Sequence, residues 1–305
     1  KKVIKMKKTR PIFVLSLLLC IFLAGCGKTD VATSITSGEK IQINAKADCT
    51  LEAVLLADEI DLEGLVGYKK DNSRYLLQIW KIKNTGEKTI KMGSLYRGCD
   101  VIYQKKQEYK AKFYNDSTGL LDNDKVEPLA ERMMYVLTNL PNEVANNLQG
   151  LAITVNFDGQ NYQIQNSDIF DETPYIASIK KDYSQLNSII TEFTNNLNFR
   201  WTSLLSVSPK ATVEELLSYC DKKKEDCNKM VQELKGYSPP PLYKNGHEGF
   251  LTGIDGMISV FDYILNGKEL SLSEFGTLLQ KFPQDSLDNA VKGIENCKKG
   301  LPFLN

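Results

Sequence analysis

The sequence predicts an α+β chain, with an antiparallel β-sandwich over residues 47–170 followed by an antiparallel helical bundle over residues 180–305. Two patterns carry that expectation. Before residue 170, short runs rich in Ile, Val, Tyr and Thr are separated by turn chemistry; after residue 180, apolar residues recur at helical spacing. A third feature, the basic and apolar start of the chain, bears on location.

Eight runs read as strands: 49–56, 74–83, 88–92, 99–104, 108–114, 132–138, 151–157 and 160–165. Asn84-Thr85-Gly86 and Asp158-Gly159 supply turns between them, and the second is a strong hairpin signal. Many short strands at this spacing favour a sandwich over alternating βαβ units.

Three capping-box patterns then mark helix starts: Asp182 with Gln185, Thr212 with Glu215, and Ser271 with Glu274. Behind the first, Leu186, Ile189, Ile190, Phe193, Leu197, Trp201, Leu204 and Leu205 form an apolar stripe. Behind the second come Val213, Leu216, Leu217, Cys220, Met230, Val231 and Leu234. Ser238-Pro-Pro-Pro241 breaks the chain before a third helix carrying Phe250, Ile254, Met257, Phe261 and Ile264. Pro283 divides the last helical region into 272–282 and 286–297. Amphipathic helices with short connections pack as an antiparallel bundle.

Residues 1–10 carry five lysines and Arg10, and an apolar run over 11–24 follows. This is the layout of a secretory signal, too short to span a bilayer. Leu23-Ala24-Gly25-Cys26 resembles the lipobox of bacterial lipoproteins. That resemblance implies removal of residues 1–25 as a signal peptide and a diacylglyceryl group on Cys26. It places the chain on the outer face of the cell membrane, and two acyl chains make a stable anchor. Met6-Lys7-Lys8 reads as the usual start of such a signal, so Lys1 to Lys5 are expected to be upstream sequence. The polar segment 26–46 reads as a tether, spanning roughly 25 Å on average.

The strand–turn–strand stretch Tyr75-Leu-Leu-Gln-Ile-Trp-Lys-Ile-Lys-Asn-Thr-Gly-Glu-Lys-Thr-Ile90 is similar to the telokin-like, immunoglobulin-like domain of Gram-positive surface lipoproteins. Glu127-Pro-Leu-Ala-Glu131 followed by Tyr135-Val-Leu-Thr-Asn-Leu-Pro141 fits that family's closing strand. The resemblance covers residues 47–168. It implies an Ig-like fold and an extracellular binding or spacer role, and it transfers no functional residue.

Charge narrows the function classes. The whole chain balances 38 basic against 38 acidic residues. Removing residues 1–25 takes six bases and no acids, leaving 32 against 38, a net charge of −6. Such a surface repels nucleic-acid phosphates, so no nucleic-acid partner is expected. Beyond Cys20 and Cys26, five cysteines remain: Cys49, Cys99, Cys220, Cys227 and Cys297. Outside the cytoplasm they could form disulfides, with at least one left over. Cys49 and Cys99 could bridge the sandwich, and Cys297 could staple the last helix to Cys220 or Cys227. Cys220 and Cys227, about 10.5 Å apart by helical rise, are too distant to join each other.

Catalytic signatures are missing from the sequence. The single histidine, His247, has Leu251 where a zinc His-Glu-x-x-His motif needs its second histidine. It reads instead as a polar residue near a helix start. Asp122, Asn123, Asp124 and Glu127 supply oxygens but fail the EF-hand pattern and read as a solvated turn; no metal and no cofactor are expected. Tyr96, Tyr103, Tyr109 and Tyr114 could form a sugar- or peptide-binding face, or pack within the sheet. The expectation is therefore a non-enzymatic envelope binding module. Its partners would be the membrane, through Cys26, and another envelope protein or a cell-wall polymer. The rival is an envelope hydrolase working through carboxylates.

Overall fold

The computed structural model describes residues 32–62, 65–67, 72–115, 124–197 and 207–304. The strands run in chain order as β1 (Thr33–Ile35), β2 (Lys40–Ile43), β3 (Ala47–Ala57), β4 (Ile60–Leu62) and β5 (Leu65–Gly67). Next come β6 (Ser73–Asn84), β7 (Ile90–Lys91), β8 (Tyr96–Tyr103), β9 (Gln107–Asn115) and β10 (Lys125–Val126). Last are β11 (Glu131–Pro141), β12 (Leu151–Phe157), β13 (Gln160–Ile164) and β14 (Ile169–Asp171). Five helices of nine or more residues follow among the described residues: α1 (Glu172–Asn195), α2 (Pro209–Lys235), α3 (Pro241–Leu265), α4 (Leu272–Gln280) and α5 (Gln284–Gly300).

Ten strands form one curled sheet in the order β1-β13-β12-β8-β9-β11-β6-β3-β14, with β2 also on β3. The curl turns at β9. Its first half pairs with β8, Asp100 opposite Lys110, and its second half pairs with β11, Tyr135 opposite Tyr114. The two halves of the sheet therefore fold over a shared core that includes Leu51, Trp80, Val136, Ile153 and Phe157. Trp80 meets Phe157 edge-on at 5.0 Å between ring centroids, a favoured aromatic geometry.

The sheet is mixed, which corrects the wholly antiparallel expectation. β1 lies parallel to β13, and β14 lies parallel to β3. Both strands are three residues long and join partners distant in sequence, so no local pattern announces them. The tether boundary also moves. β1 and β2 fall inside the expected tether at 26–46 and bury Ile35 and Ile43 in the sheet core.

A one-residue bulge decides which side chains of β3 face which way. The register with β6 shifts between Leu51 and Ala53, so Cys49 and Leu51 share a face with Val54 and Leu56. Ala53, Leu55 and Ala57 point to the opposite face and join Leu77, Ile79 and Leu137 in a second core with the helices. The helices therefore pack against the sheet as well as against each other. This explains why Tyr75-Leu-Leu-Gln-Ile-Trp80 is nearly continuous in apolar character: both faces of β6 are covered.

Helix starts agree with the sequence at one cap and differ at two. Ser271 forms a full capping box with Glu274. Asp182, by contrast, sits mid-helix and is only 1% exposed, because α1 begins ten residues earlier behind Asp171, whose side chain accepts from the Thr173 N–H. Thr212 lies inside the first turns of α2, its hydroxyl donating back to the Ser208 carbonyl at 2.8 Å. α2 and α3 each open with a proline, which loses nothing by lacking a donor there.

The Asp158-Gly159 hairpin has positive φ at both residues, 47° and 88°. The β8–β9 turn has the same geometry at Gln104 and Lys105, φ 50° and 59°, without a glycine. Lys105→Gly is expected to raise stability by about 0.5–1 kcal/mol, since left-handed backbone strains a side-chain-bearing residue. A urea midpoint unchanged or lowered would contradict this.

Candidate functional site

Three separate pieces of chain meet beside the first turn of α1: the loop 36–38 after β1, residues 167–171, and the α2–α3 connection at 236–241. Between them lies a groove of about 560 Å³. Phe170 and Tyr237 give it aromatic surface, Pro239 and Pro240 give it rigid apolar surface, and Ser37 and Asp168 give it oxygen. The connection cannot continue as helix, because each proline lacks an N–H and disfavours helical backbone before it. Gly38 lets the opposite loop approach: a Cβ there would stand 3.2 Å from Pro241 Cγ, and its φ is +87°.

Ser37 Oγ and Asp168 Oδ2 are both closed off from water without a hydrogen-bond partner in this structure. Burial pushes the Asp168 carboxyl above its ordinary value. The Ser37 backbone N–H, bonded to it, pulls the other way, and Glu39 adds like-charge repulsion.

A second hollow of about 300 Å³ adjoins the groove and shares Asp171 and Pro174 with it. Arg74 lies there with its side chain 12% exposed. It donates to Asp58 at 2.8 Å, to Asp171 at 2.6 and 3.0 Å, and to Thr173 Oγ1 at 3.0 Å. The guanidinium thus ties β6 to the start of α1 and is neutralised where it stands. The hydrogen bond it donates to Asp171, opposed by burial and aided by both carboxylates, holds the Arg74 pKa above the usual range.

Behind the groove is a buried polar cluster. The Tyr175 ring packs on Phe170 at 5.1 Å and on Tyr237 at 5.3 Å, and stacks with Tyr243 at 6.0 Å. Tyr243 donates to the Glu172 carboxylate, and the Tyr175 hydroxyl lies 3.2 Å from His247 Nδ1. With the ring proton on Nε2, Tyr175 is the donor. Burial raises the Glu172 pKa, countered by the Tyr243 hydrogen bond and reinforced by Asp171. Burial lowers that of His247, with Glu248 acting against it. The histidine expected to be a polar residue near a helix start is therefore 6% exposed and neutral, backing the aromatic wall.

A pH dependence follows from that direction. The unfolded chain protonates this histidine near 6.5, while the folded chain resists until lower pH. Stability contributed by neutral His247 is therefore present above 6.5 and lost as pH falls below it. Expected for His247→Asn, which keeps an acceptor for Tyr175, is a smaller drop in melting temperature from pH 7 to 5.5 than in the parent chain. Equal drops would remove His247 as the cause.

The other sequence candidates are dispersed. Cys26, the proposed lipid site, lies outside the described residues, as do Asp122 and Asn123. Asp124 accepts from Asn115 Nδ2 at 2.5 Å and Glu127 from Thr89 Oγ1 at 2.5 Å, so each carboxylate has its own partner. Among the described residues no group of three or more His, Cys, Asp or Glu is placed to hold a metal ion. Tyr96 and Tyr103 are buried in the sheet core with Tyr109 packed against it, whereas Tyr114 packs against the helix-side core, so the four tyrosines make no common face.

All five described cysteines are free thiols, so none of the possible bridges is formed here. Cys99 Sγ accepts from Gln78 at 3.3 Å, while Cys49 lies opposite Ile82, four residues further along β6. That offset is about 13 Å of strand, beyond disulfide reach. α2, bearing Cys220 and Cys227, and α5, bearing Cys297, each pack chiefly on α3 rather than on each other. Desolvation pushes Cys49, Cys99, Cys227 and Cys297 up to about 12, and Cys220 also upward, so the thiols stay protonated.

The groove was missed because its residues come from distant parts of the chain. Ser238-Pro-Pro-Pro241 was legible only as a helix break; its neighbour Tyr237 was the available hint that the break presents a surface. No helix among the described residues is long and apolar enough to cross a membrane.

The chain matches no family model and no curated protein sequence. Among solved structures it is similar to an uncharacterized β-sandwich protein from Clostridium difficile 630, at 18% identity and a TM-score of 0.41, covering 46% of this chain and 97% of that one. It is also similar to a conserved hypothetical protein from Bacillus anthracis, at 12% identity and a TM-score of 0.33, covering 43% of this chain and 94% of that one.

Proposed function

We propose that the chain is a lipid-anchored envelope protein that binds a ligand or partner in the groove between Ser37, Asp168 and Tyr237. Its sheet is an Ig-like β-sandwich extended by β1 and β14, and its helices are a bundle docked on one sheet face. The mature chain sits at the extracytoplasmic face of the cell membrane on diacylglyceryl-Cys26, and its partner is another envelope protein or a cell-wall polymer.

The observation that carries the binding role is the groove itself. A concave site with aromatic and proline walls and a few polar side chains, Ser37 and Asp168 among them, has the make-up of a ligand-binding site. The anchoring rests on the basic start, the short apolar run and Leu23-Ala24-Gly25-Cys26. A hydrolase working through two carboxylates has less support. Asp171, the second acid on the groove wall, has both oxygens engaged by Arg74.

Two measurements test this. In cells fed radioactive palmitate, the parent chain is expected to carry label and sediment with membranes, and Cys26→Ser to lose both. Label retained on the serine variant would end the anchoring reading. Separately, the purified chain is expected to co-sediment with isolated cell-wall polymer or to be retained by a purified envelope protein. Tyr237→Ala should weaken that retention at least tenfold; undiminished retention would remove the groove from the function.

A further inference from the structure

We propose that the groove takes a small organic cation, with an ammonium group against Asp168 and its carbon frame on Tyr237 and Phe170. This deepens the reading above and rests on the groove being the binding site.

The charges point to a cation. Beside the groove stand Glu39, Asp168, Asp171 and Asp58, against the guanidinium of Arg74. The lining of the groove itself holds two carboxylates, Asp168 and Asp171, and no lysine or arginine. Arg74 spends its charge on Asp58 and Asp171 at 2.8 and 2.6 Å, so it offers nothing to Asp168. An anionic ligand would meet Asp168 and Glu39 as like charges. A neutral one could donate a hydrogen bond but would leave the carboxylate charge uncompensated in a partly desolvated place.

The walls suit the rest of such a ligand. Tyr237 and Phe170 are half-buried and held from behind by the Tyr175 ring, so their positions are set before anything binds. Aromatic faces attract ammonium and N-methyl groups through the ring quadrupole. Pro239 and Pro240 add apolar contact without side-chain entropy to lose. The volume, about 560 Å³, lies within the range typical of small-molecule sites. Asp168 Oδ2 and Ser37 Oγ are turned away from water in the free protein. An ammonium or N-methyl group in the groove would stand against the Asp168 carboxylate that lines it, whose charge the Ser37 N–H offsets only in part.

The test compares choline with 3,3-dimethylbutanol, its neutral carbon isostere, by calorimetric titration of the full chain in a nonionic detergent. Choline is expected to bind saturably and at least tenfold tighter than the alcohol. Asp168→Asn, similar in size, should lower choline affinity at least tenfold with its melting temperature monitored, and Tyr237→Ala should lower it several-fold. Equal binding of the alcohol, or full choline affinity in Asp168→Asn, overturns the cation proposal, as does the absence of saturable choline binding. The first comparison uses the parent chain alone and so does not depend on any variant folding. Should choline fail while Tyr237→Ala still abolishes retention by polymer or partner, the cation proposal falls and the groove's binding role stands.

Discussion

Gly293→Ala is expected to cost about 3 kcal/mol or more, the largest effect of any glycine-to-alanine change among the described residues. A Cβ at 293 would fall 2.3 Å from Gly253 Cα and 2.4 Å from its nitrogen, and backbone cannot step aside as a side chain can. The cause is the way α3 and α5 pack. Gly246, Gly249, Gly253 and Gly256 line one helix at spacings of three, four and three; Ala290, Gly293, Cys297 and Gly300 line the other at the same spacings. Gly246 meets Gly300, Gly253 meets Gly293 and Gly256 meets Ala290, so the helices run in opposite directions nearly backbone to backbone. Two substitutions act as controls. Gly253→Ala would contact the Ala290 carbonyl and the Gly293 backbone at 3.2 Å and should be milder. Gly276→Ala has nothing within 4 Å and sits inside α4, so it should stabilise by up to about 1 kcal/mol. Urea midpoints of the three variants would check the order. A Gly293→Ala protein as stable as the parent would show that the two helices are not in this contact.

The second large effect is expected at Arg74. Arg74→Met should destabilise by about 2–4 kcal/mol, below the full cost of breaking a deeply buried pair because Asp171 is 47% exposed. The loss leaves Asp58, itself 25% exposed, without its strongest cation and frees the first turn of α1 from β6. Arg74→Lys should recover only part of this, since an ammonium cannot serve two carboxylates and Thr173 in the forked geometry seen here. Thermal melts of both variants would decide it: full recovery by lysine would mean that charge alone, not the fork, holds the junction.

Much of the architecture was legible in the residues. The eight expected strands lie within or over β3, β6, β7, β8, β9, β11, β12 and β13, because alternation and turn chemistry are local properties. The Lys-Asn-Thr-Gly turn shows why such a motif can be read at all. Asn84 is fully buried and donates to the Lys88 and Val126 carbonyls at 2.9 and 2.8 Å, so one side chain secures both the turn and the strand that closes over it. The small-residue spacing on α3 and α5 was equally present in the sequence, but it shows itself only to a search for glycine periodicity, and the apolar stripes obscure it. Asp182 misled for the opposite reason: a capping-box spacing recurs by chance inside a helix, and only the free backbone groups of a real terminus give it meaning.

Local chemistry thus determined the α+β class, the strand-rich half, the helical half and the Ser271 cap, since each depends on residues within a few positions of one another. Tertiary structure alone decided that β1 and β14 join the sheet in parallel, that the helices cover one of its faces, and that Arg74 reaches Asp171. It alone also brought Ser37, Asp168 and Tyr237 to one groove. These are pairings between parts of the chain far apart in sequence. Their energy comes from burial and from charges closing on each other, which exist only once the backbone has brought them together.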